Sequence, residues 1–289
     1  MERIKPKKVK YKTISLFSGI GGFDLGFMYA GFNIIWANDF EKYACQTYRE
    51  NVSNNIVCGN IREEKKNIPS HDILIGGFPC QPFSTLGKLQ GFDDQEGRGT
   101  LFFEIKDIIQ KHHTKVVVLE NVKNIMNHDE GRTFKRIIKE LNDIGYITFS
   151  HVFNSQDYGV PQRRNRCYIV AFSGEYFDIK DKDLPWPPAQ ELKVTTKNFY
   201  HKDAEIDLPI ARAILSTQGN THRASVNNYV TTNGHIRALE PRESLRLMGF
   251  PDSFKIVVSR AQSYKQSGNS IVVDVLMAIT TQILKAIGE

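Results

Sequence analysis

The sequence fixes one potentially reactive side chain between two stiff residues. Cys80 lies in the stretch "GGFPCQPFS" between Pro79 and Pro82, directly after the apolar run "DILIGG". Proline restricts its own backbone and that of the preceding residue, so this thiol has few available conformations. A nucleophile benefits from fixed geometry, and the thiolate is the attacking form of cysteine. The stretch therefore predicts a catalytic thiol, whereas simple packing fits the other three cysteines better: Cys45, Cys58 and Cys167.

Acidic and basic groups follow later strands. Glu120 ends the run "VVVLEN", and the basic turn "QRRNR" carries Arg164 and Arg166. A partly buried carboxyl group has a raised pKa and can donate a proton near neutral pH. Guanidinium groups can hold an anion or a carbonyl oxygen in a two-point contact. The alternatives are a charge at a helix start for Glu120 and a solvated turn for the arginines.

A glycine-rich loop, "SGIGG", follows the first apolar run "TISLF" and precedes an amphipathic stretch. Its glycines, with Gly19, Gly21 and Gly22 among them, allow a tight turn and close approach of a ligand to the backbone. The spacing is not that of a dinucleotide fingerprint, so a structural turn is an equal alternative. Asp39 ends the next strand about twenty residues on, where an acid can hold ribose hydroxyls or cap the following helix.

These residues need a scaffold that brings strand ends together. Short apolar runs alternate with helical stretches through the first two thirds of the chain, which predicts an α/β fold with a Rossmann-like, largely parallel sheet covered by helices on both faces. We predict a first unit over residues 1–173, a small irregular unit over 174–236, and a return to the first unit over 237–289. In such a sheet the carboxyl ends of the strands meet at one edge, so the thiol, the acid, the guanidinium groups and the glycine loop converge there.

The composition of the chain limits the partners, metals and cellular location that can be expected. The 289 residues carry a net charge of +6, a weak indication of a polyanionic partner. The cysteines form no CxxC pair, so neither zinc nor a disulfide framework is expected. No apolar run approaches the length of a membrane span, and the chain shows no signal-peptide core, so we expect a cytoplasmic protein with no membrane partner.

Seven stretches in order resemble the bacterial-type DNA (cytosine-5) methyltransferase family: "SLFSGIGGFDLGF", "ANDFEKYA", "GFPCQPFS", "ENV", "QRRNR", "RALEPRESLRLMGFPD" and "YKQSGNSIVV". The resemblance covers essentially the whole chain. It implies a methyl transfer from S-adenosylmethionine to C5 of a flipped-out cytosine in a specific duplex DNA sequence, with no metal required and S-adenosylhomocysteine as product. It further implies that residues 174–236 are a target-recognition domain, that the protein is a monomer associated with the nucleoid, and that it serves restriction–modification or phage self-protection; a cognate endonuclease is left open.

The same resemblance assigns the site. Cys80 is implied to be the nucleophile, Glu120 the acid, and Arg164 and Arg166 the groups that hold the flipped nucleotide. The implied cofactor contacts are Phe17, Gly19, Gly21, Gly22, Asp39, Phe40, Asn60, Ile61, Pro79, Leu101, Asn269 and Ser270. The implied DNA contacts are Gln81, Ser84, Arg98, Gln162 and Arg223, with residues 81–98 as a loop that closes over the DNA.

Two departures from the family pattern stand out. Asn60 replaces the usual acid, which predicts a modest effect on cofactor affinity because its amide carbonyl still accepts a hydrogen bond. The segment 174–236 is short for a target-recognition domain. Methylation of cytosine in a structured RNA, and a non-catalytic DNA-binding relative, are the alternatives that the sequence leaves open.

Overall fold

A computed structural model describes residues 9–78, 101–179, 184, 186–206, 208–218 and 226–289. Within these ranges the predicted α/β sheet is confirmed. Its strands are β1 (Lys12–Leu16), β2 (Asn33–Asp39), β3 (Ile56–Cys58), β4 (Ile73–Gly77), β5 (Val116–Val122), β6 (Tyr146–Asn154) and β8 (Asn165–Ser173), in the order β3-β2-β1-β4-β5-β8-β6. The first five in this order are parallel, and β8 runs antiparallel to both β5 and β6.

Helices cover both faces because the central strands are apolar on both sides. In β4 and β5, Ile73, Ile75 and Val118 belong to one buried cluster, whereas Leu74 and Val117 belong to the other. One face packs against α1 (Gly22–Tyr29) and α8 (Val273–Ala286), and the opposite face against α4 (Leu101–His112) and α5 (Arg132–Asp143). Successive side chains of a strand point to opposite faces, which explains why these runs are continuously apolar rather than alternating.

Four further helices lie within the described residues. They are α2 (Lys42–Asn51), α3 (Ile61–Glu64), α6 (Pro241–Arg246) and α7 (Arg260–Asn269). By length and hydropathy the stretch Arg260–Ala286, which joins α7 and α8, could also cross a membrane. However, it is not helical at residues 270–272, and 56% of its most apolar window is buried inside the protein, as expected of a core helix.

The predicted irregular segment contains a small sheet of its own. Strands β9 (Ala204–Ile206), β11 (Tyr229–Thr232) and β12 (His235–Ala238) pair antiparallel in the order β12-β11-β9. Strand β12 runs through the boundary predicted between residues 236 and 237. A further short strand, β10 (Ala211–Arg212), pairs with β7 (Gln162–Arg163), which lies in the basic turn between β6 and β8. The segment is therefore attached to the main sheet through this turn.

Candidate active site

The ends of the parallel strands bring the predicted acid beside the start of the predicted thiol segment. Gly77, the last residue of β4, stands opposite Glu120 on β5. A methyl group placed on Gly77 would lie 3.2 Å from Glu120 Oε2 and 3.4 Å from Ile271 Cδ1. Only hydrogen fits here without crowding the carboxyl group, so this glycine lets the carboxyl group lie against the backbone of β4.

Burial and charge act on Glu120 in opposite directions. The residue is 8% exposed, and burial raises the pKa of its carboxyl group above the ordinary value. The guanidinium groups of Arg166 and Arg164 oppose this effect without reversing it. Arg166 Nε lies 3.0 Å from Glu120 Oε1, a contact between diagonal neighbours on paired antiparallel strands. The carboxyl group is thus oriented by one guanidinium while holding its proton more readily than in water.

The nucleophile prediction falls beyond the described residues. Cys80, Pro79, Gln81, Ser84 and Arg98 all lie in the stretch 79–100, and Arg223 lies in 219–225, so the structure describes none of them. The last described residue before Cys80 is Phe78, whose carbonyl oxygen accepts a hydrogen bond of 3.1 Å from Asn121 Nδ2. Asn121 directly follows Glu120, so this bond ties the segment that leads to Cys80 to the acid-bearing strand.

Arg164 is buried and bonded to backbone. Its Nη1 donates to the carbonyl of Ile214 at 2.8 Å, and its Nη2 donates to those of Gly268 at 2.9 Å and Ser270 at 2.6 Å. Burial, with a smaller contribution from the positive charge of Arg166, lowers the pKa of this guanidinium to about 9. The group holds together the small segment, the end of α7 and the turn before α8.

The prediction that Gln162 contacts DNA is corrected by its position. The side chain is completely buried: its Nε2 donates to the carbonyl of Leu247 at 2.6 Å, and its Oε1 accepts from the backbone N–H of Ile214 at 2.9 Å. An amide whose donor and acceptor both serve buried backbone groups is a structural link. Gln162 and Arg164 therefore bind the two polar groups of one residue, Ile214.

The glycine loop and Asp39 are joined directly. The backbone N–H of Gly19 donates to Asp39 Oδ2 at 2.8 Å, and that of Glu41 donates to Asp39 Oδ1 at 2.8 Å. The alternative role for Asp39 as a helix cap is not observed, because Glu41 caps α2 by accepting from the N–H of Ala44. Burial raises the pKa of the Asp39 carboxyl group, and these two backbone donors oppose the rise. Each carboxylate oxygen keeps a further lone pair for a ligand.

Strain and free space coincide at the start of the loop. Phe17, directly after β1, has φ of 53°, a left-handed conformation that is costly for a bulky residue. Gly19 has φ of 56°, and no atom of the described residues lies within 4 Å of the position where its Cβ would stand. The glycines at 21, 22 and 26 instead have packing reasons, since an added Cβ would meet Val52, Ser270 or Leu276 at 2.5–2.6 Å. Open space beside a strained loop is therefore confined to its first half.

The remaining predicted cofactor residues surround this loop at different depths. Phe40 is 74% exposed, directly after Asp39. Asn60 is also exposed, and its Oδ1 accepts from the N–H of Arg62 at 3.1 Å as the cap of α3. Ile61 is buried in the core, so only its backbone can face a ligand. Three others were predicted as cofactor contacts: Leu101 is half-buried at the start of α4, Asn269 is exposed at the end of α7, and Ser270 is buried.

Two groups near this edge were not predicted. Gly77 is one of them, although a glycine at the end of an apolar run, directly before the predicted thiol segment, is a usable signal. Asp24 lies within the apolar helix α1 and is completely buried, with both carboxylate oxygens hydrogen-bonded. A single acid in "GGFDLGF" was the available signal. Among the described residues, no three histidine, cysteine or acidic side chains are grouped as metal ligands.

Comparison with known proteins identifies related chains. The pattern of the C-5 cytosine-specific DNA methylase family matches residues 11–208 and 190–285. The chain is 35% identical to the type II methyltransferase M.HhaI of Haemophilus parahaemolyticus, covering 98% of this chain and 97% of that protein. It is 38% identical to M.HaeII of Haemophilus aegyptius, covering 96% and 94%. Solved structures with the same fold include S. pombe Dnmt2 (TM-score 0.75, 17% identity, 96% and 99% covered) and the Entamoeba histolytica methyltransferase EhMeth (TM-score 0.76, 19% identity, 98% and 100% covered).

Proposed function

Because the chain belongs to the C-5 cytosine-specific DNA methylase family, and is thus a DNA (cytosine-5-)-methyltransferase, we propose that Cys80 and Glu120 activate the target cytosine and that the glycine loop holds S-adenosylmethionine. The observation that carries this proposal is the buried carboxyl group of Glu120, which lies against Gly77. Gly77 precedes Cys80 by three residues in the sequence.

Base activation requires a nucleophile and an acid on the same ring. Position C5 of cytosine is a weak nucleophile, so the Cys80 thiolate adds to C6 and makes C5 electron-rich. Glu120 engages N3 and neutralises the charge that develops there, which is favoured because burial raises the pKa of this carboxyl group. When bound, the cofactor supplies an electrophilic methyl group to C5. Loss of the C5 proton then breaks the bond between sulfur and C6 and restores the aromatic ring.

The two arginines divide the work of orientation. Arg166 contacts Glu120 directly and fixes the carboxyl group, while its remaining N–H donors are suited to the carbonyl oxygen of the base. Arg164 acts indirectly, since its hydrogen bonds join Ile214, in the segment 174–236, to the turn at Gly268 and Ser270. Under this proposal Arg166 touches substrate and Arg164 is a positioning residue.

The residues around the loop fit the parts of S-adenosylmethionine. The Asp39 carboxylate has free lone pairs for ribose hydroxyl groups, and the exposed ring of Phe40 offers a face for adenine. The space beside Gly19 allows close approach to the backbone, and the half-buried ring of Phe17 can attract the positive sulfonium. Asn60 Oδ1 already caps α3, so its second lone pair is the one left for the adenine amino group.

Duplex DNA with a specific target sequence is the proposed substrate. A cytosine in a duplex is inaccessible to these groups, so it must leave the stack, at a cost of a few kcal/mol. Residues 174–236 are proposed to read the target, while Gln162 is assigned to structure instead. The named relatives are type II methyltransferases, which supports a restriction–modification role in the cytoplasm.

Covalent trapping tests the proposal. We expect the wild-type protein with S-adenosylmethionine to form a denaturant-resistant adduct with duplex DNA that contains 5-fluorocytosine at its target, and Cys80→Ala to form none. Cys58→Ala, which removes an exposed cysteine, is the matched control and should trap normally. Glu120→Gln should lower methyl transfer about 10²- to 10⁴-fold while leaving cofactor affinity within about twofold. Trapping by Cys80→Ala, or methyl transfer to transfer RNA rather than to DNA, would refute the assignment.

A further inference from the structure

The acid inside helix α1 is held by two neutral hydroxyl groups. Asp24 is completely buried, and its Oδ2 accepts from Ser15 Oγ at 2.9 Å while its Oδ1 accepts from Tyr48 OH at 2.7 Å. Ser15 lies on β1 and Tyr48 on α2, so the carboxyl group joins three elements that surround the glycine loop. Burying a carboxylate is costly when no partner carries a compensating charge, and here the hydroxyl groups and a backbone N–H hydrogen bond only partly offset the loss of water. Burial raises the pKa of Asp24 to about 6, so the group is ionised at neutral pH despite this cost.

Both hydrogen bonds lead to the loop. On one side Ser15 Oγ lies 2.9 Å from Ser18 Oγ, and Ser18 begins the loop segment Ser18–Gly22; this is the shortest of three contacts of the Ser18 hydroxyl group. On the other side the ring of Tyr48 lies against Gly21, where an added Cβ would be 3.2 Å from two ring carbons. Asp24 therefore supports the loop segment at its beginning and near its end.

The ionised state of Asp24 determines which groups donate and which accept in the hydrogen bonds that link Asp24 to Ser15, Tyr48 and Ser18. A carboxylate only accepts hydrogen bonds, so both Ser15 and Tyr48 must turn their protons toward Asp24. Ser15 Oγ is then free to accept from Ser18. A neutral carboxylic acid presents an O–H donor at one of these two positions, and an amide presents an NH2 group there; either would face a hydroxyl proton and weaken one of the two hydrogen bonds. The negative charge of Asp24 is costly for folding, but it is also what allows the hydrogen bonds from Ser15 and Tyr48 to form at the same time.

We propose that ionised Asp24 is a positioning residue that holds the loop segment Ser18–Gly22 in the conformation that binds S-adenosylmethionine. This inference rests on the proposed role of the loop as the cofactor site. Asp24 does not touch the ligand; it acts through Ser15 and Tyr48. The titratable groups that face it are Tyr48 on α2 and, more distantly, Asp39 on β2, whose charge further disfavours ionisation of Asp24.

Equilibrium binding of S-adenosylmethionine, measured by calorimetry without DNA, tests the inference. At pH 7.5 we expect Asp24→Asn to raise the Kd at least tenfold with a Tm equal to or above that of the wild type, since the variant removes a buried charge. Below pH 6 the ratio of the two Kd values should shrink toward one, because Asp24 is then neutral in the wild type as well. Asp39 titrates in both proteins, so it changes this ratio only through its coupling with Asp24, which is the smallest of the influences on the Asp24 carboxyl group.

Two tyrosine variants guard against a folding artefact. Tyr48→Phe keeps the ring against Gly21 but removes the hydroxyl arm, and it should weaken binding several-fold. Tyr158→Phe is the matched control, because it removes a buried hydroxyl bond of 2.8 Å to the Pro187 carbonyl, and its Kd should not change. If the wild type binds and Asp24→Asn binds within twofold of it, the inference is wrong. If the wild type itself does not bind, the proposed function of the loop fails and the inference with it.

Discussion

The buried Asp24 carboxyl group also makes a quantitative prediction about folding. Its pKa rises from an ordinary 3.8 to about 6 in the folded protein. At ~1.36 kcal/mol for each pKa unit, ionisation of Asp24 costs the folded state about 3 kcal/mol above pH 6. We therefore expect Asp24→Asn to gain stability relative to the wild type as the pH rises.

The sign follows from proton binding. Between about pH 4 and pH 6 the folded state holds the Asp24 proton more tightly than the unfolded state does, so the stabilisation is complete below the unfolded pKa and is lost as the pH rises through the folded pKa. About 1 kcal/mol of this loss falls between pH 5 and pH 7.5, a range in which unfolding is readily measured. An asparagine does not titrate, so the variant lacks this slope.

Urea denaturation of both proteins at several pH values between 5 and 7.5 gives the free energy of unfolding of each. The effect is the change with pH in the difference between the two free energies. Groups that are not coupled to Asp24 contribute equally to both proteins and cancel, which leaves Asp24 and its weak coupling with Asp39. Asp72→Asn is the matched control: Lys115 holds its carboxylate at 2.8 Å and lowers its pKa, so Asp72 stays ionised in both states and this variant should differ from the wild type by a constant amount. A pH-independent difference for Asp24→Asn would refute the reasoning.

Three further predictions concern contacts elsewhere in the molecule. Phe40→Ala should weaken S-adenosylmethionine binding about tenfold, as measured by calorimetry, while Tyr43→Ala, which removes a neighbouring exposed ring, should not; equal losses would count against adenine stacking. Gly268→Ala should destabilise the protein by about 3 kcal/mol in urea denaturation, because its Cβ would collide with the backbone of Leu215 and Ser216; an unchanged midpoint would contradict this packing. Arg237→Met should cost about 3 kcal/mol by leaving the buried Glu243 carboxylate without its two-point partner, and adding Glu243→Gln should restore most of the loss, whereas additive losses would exclude the pairing.

The sequence predicted the sheet well because its central strands are buried on both faces and read as unbroken apolar runs. The alternation of apolar runs and helical stretches also predicted helices on both faces of the sheet, and α1, α4, α5 and α8 are found there. Helix α7 was missed, since "RAQSYKQSGN" has little apolar content, and it is held by tertiary contacts such as the bond from Gln266 to the Tyr43 carbonyl. The short strands β9 to β12 were missed for the same reason: each is recognisable only from its partner.

The site divides along similar lines. The positions of Glu120 and Asp39 were predictable, because the end of a strand can be recognised from the local sequence and parallel strands share one edge. The roles of Gln162 and Arg164 were not, because their partners lie 50 to 106 residues away and a local motif does not distinguish a side chain bonded to distant backbone from one that faces a ligand. Likewise, the local sequence does not distinguish Gly19, which borders open space among the described residues, from Gly22, which packs against Ser270.

The attachment of Ile214 has a consequence for how such enzymes diversify. Gln162 accepts a hydrogen bond from the backbone N–H of Ile214, and Arg164 donates one to its carbonyl oxygen. Every amino acid except proline provides both groups. This attachment therefore tolerates a different side chain at position 214, as long as an apolar one fills the buried position. The residues around Ile214 can therefore change in type and number while this attachment is kept. We expect that the residues on either side of position 214 can be exchanged without loss of the attachment, provided that position 214 stays apolar and is not proline.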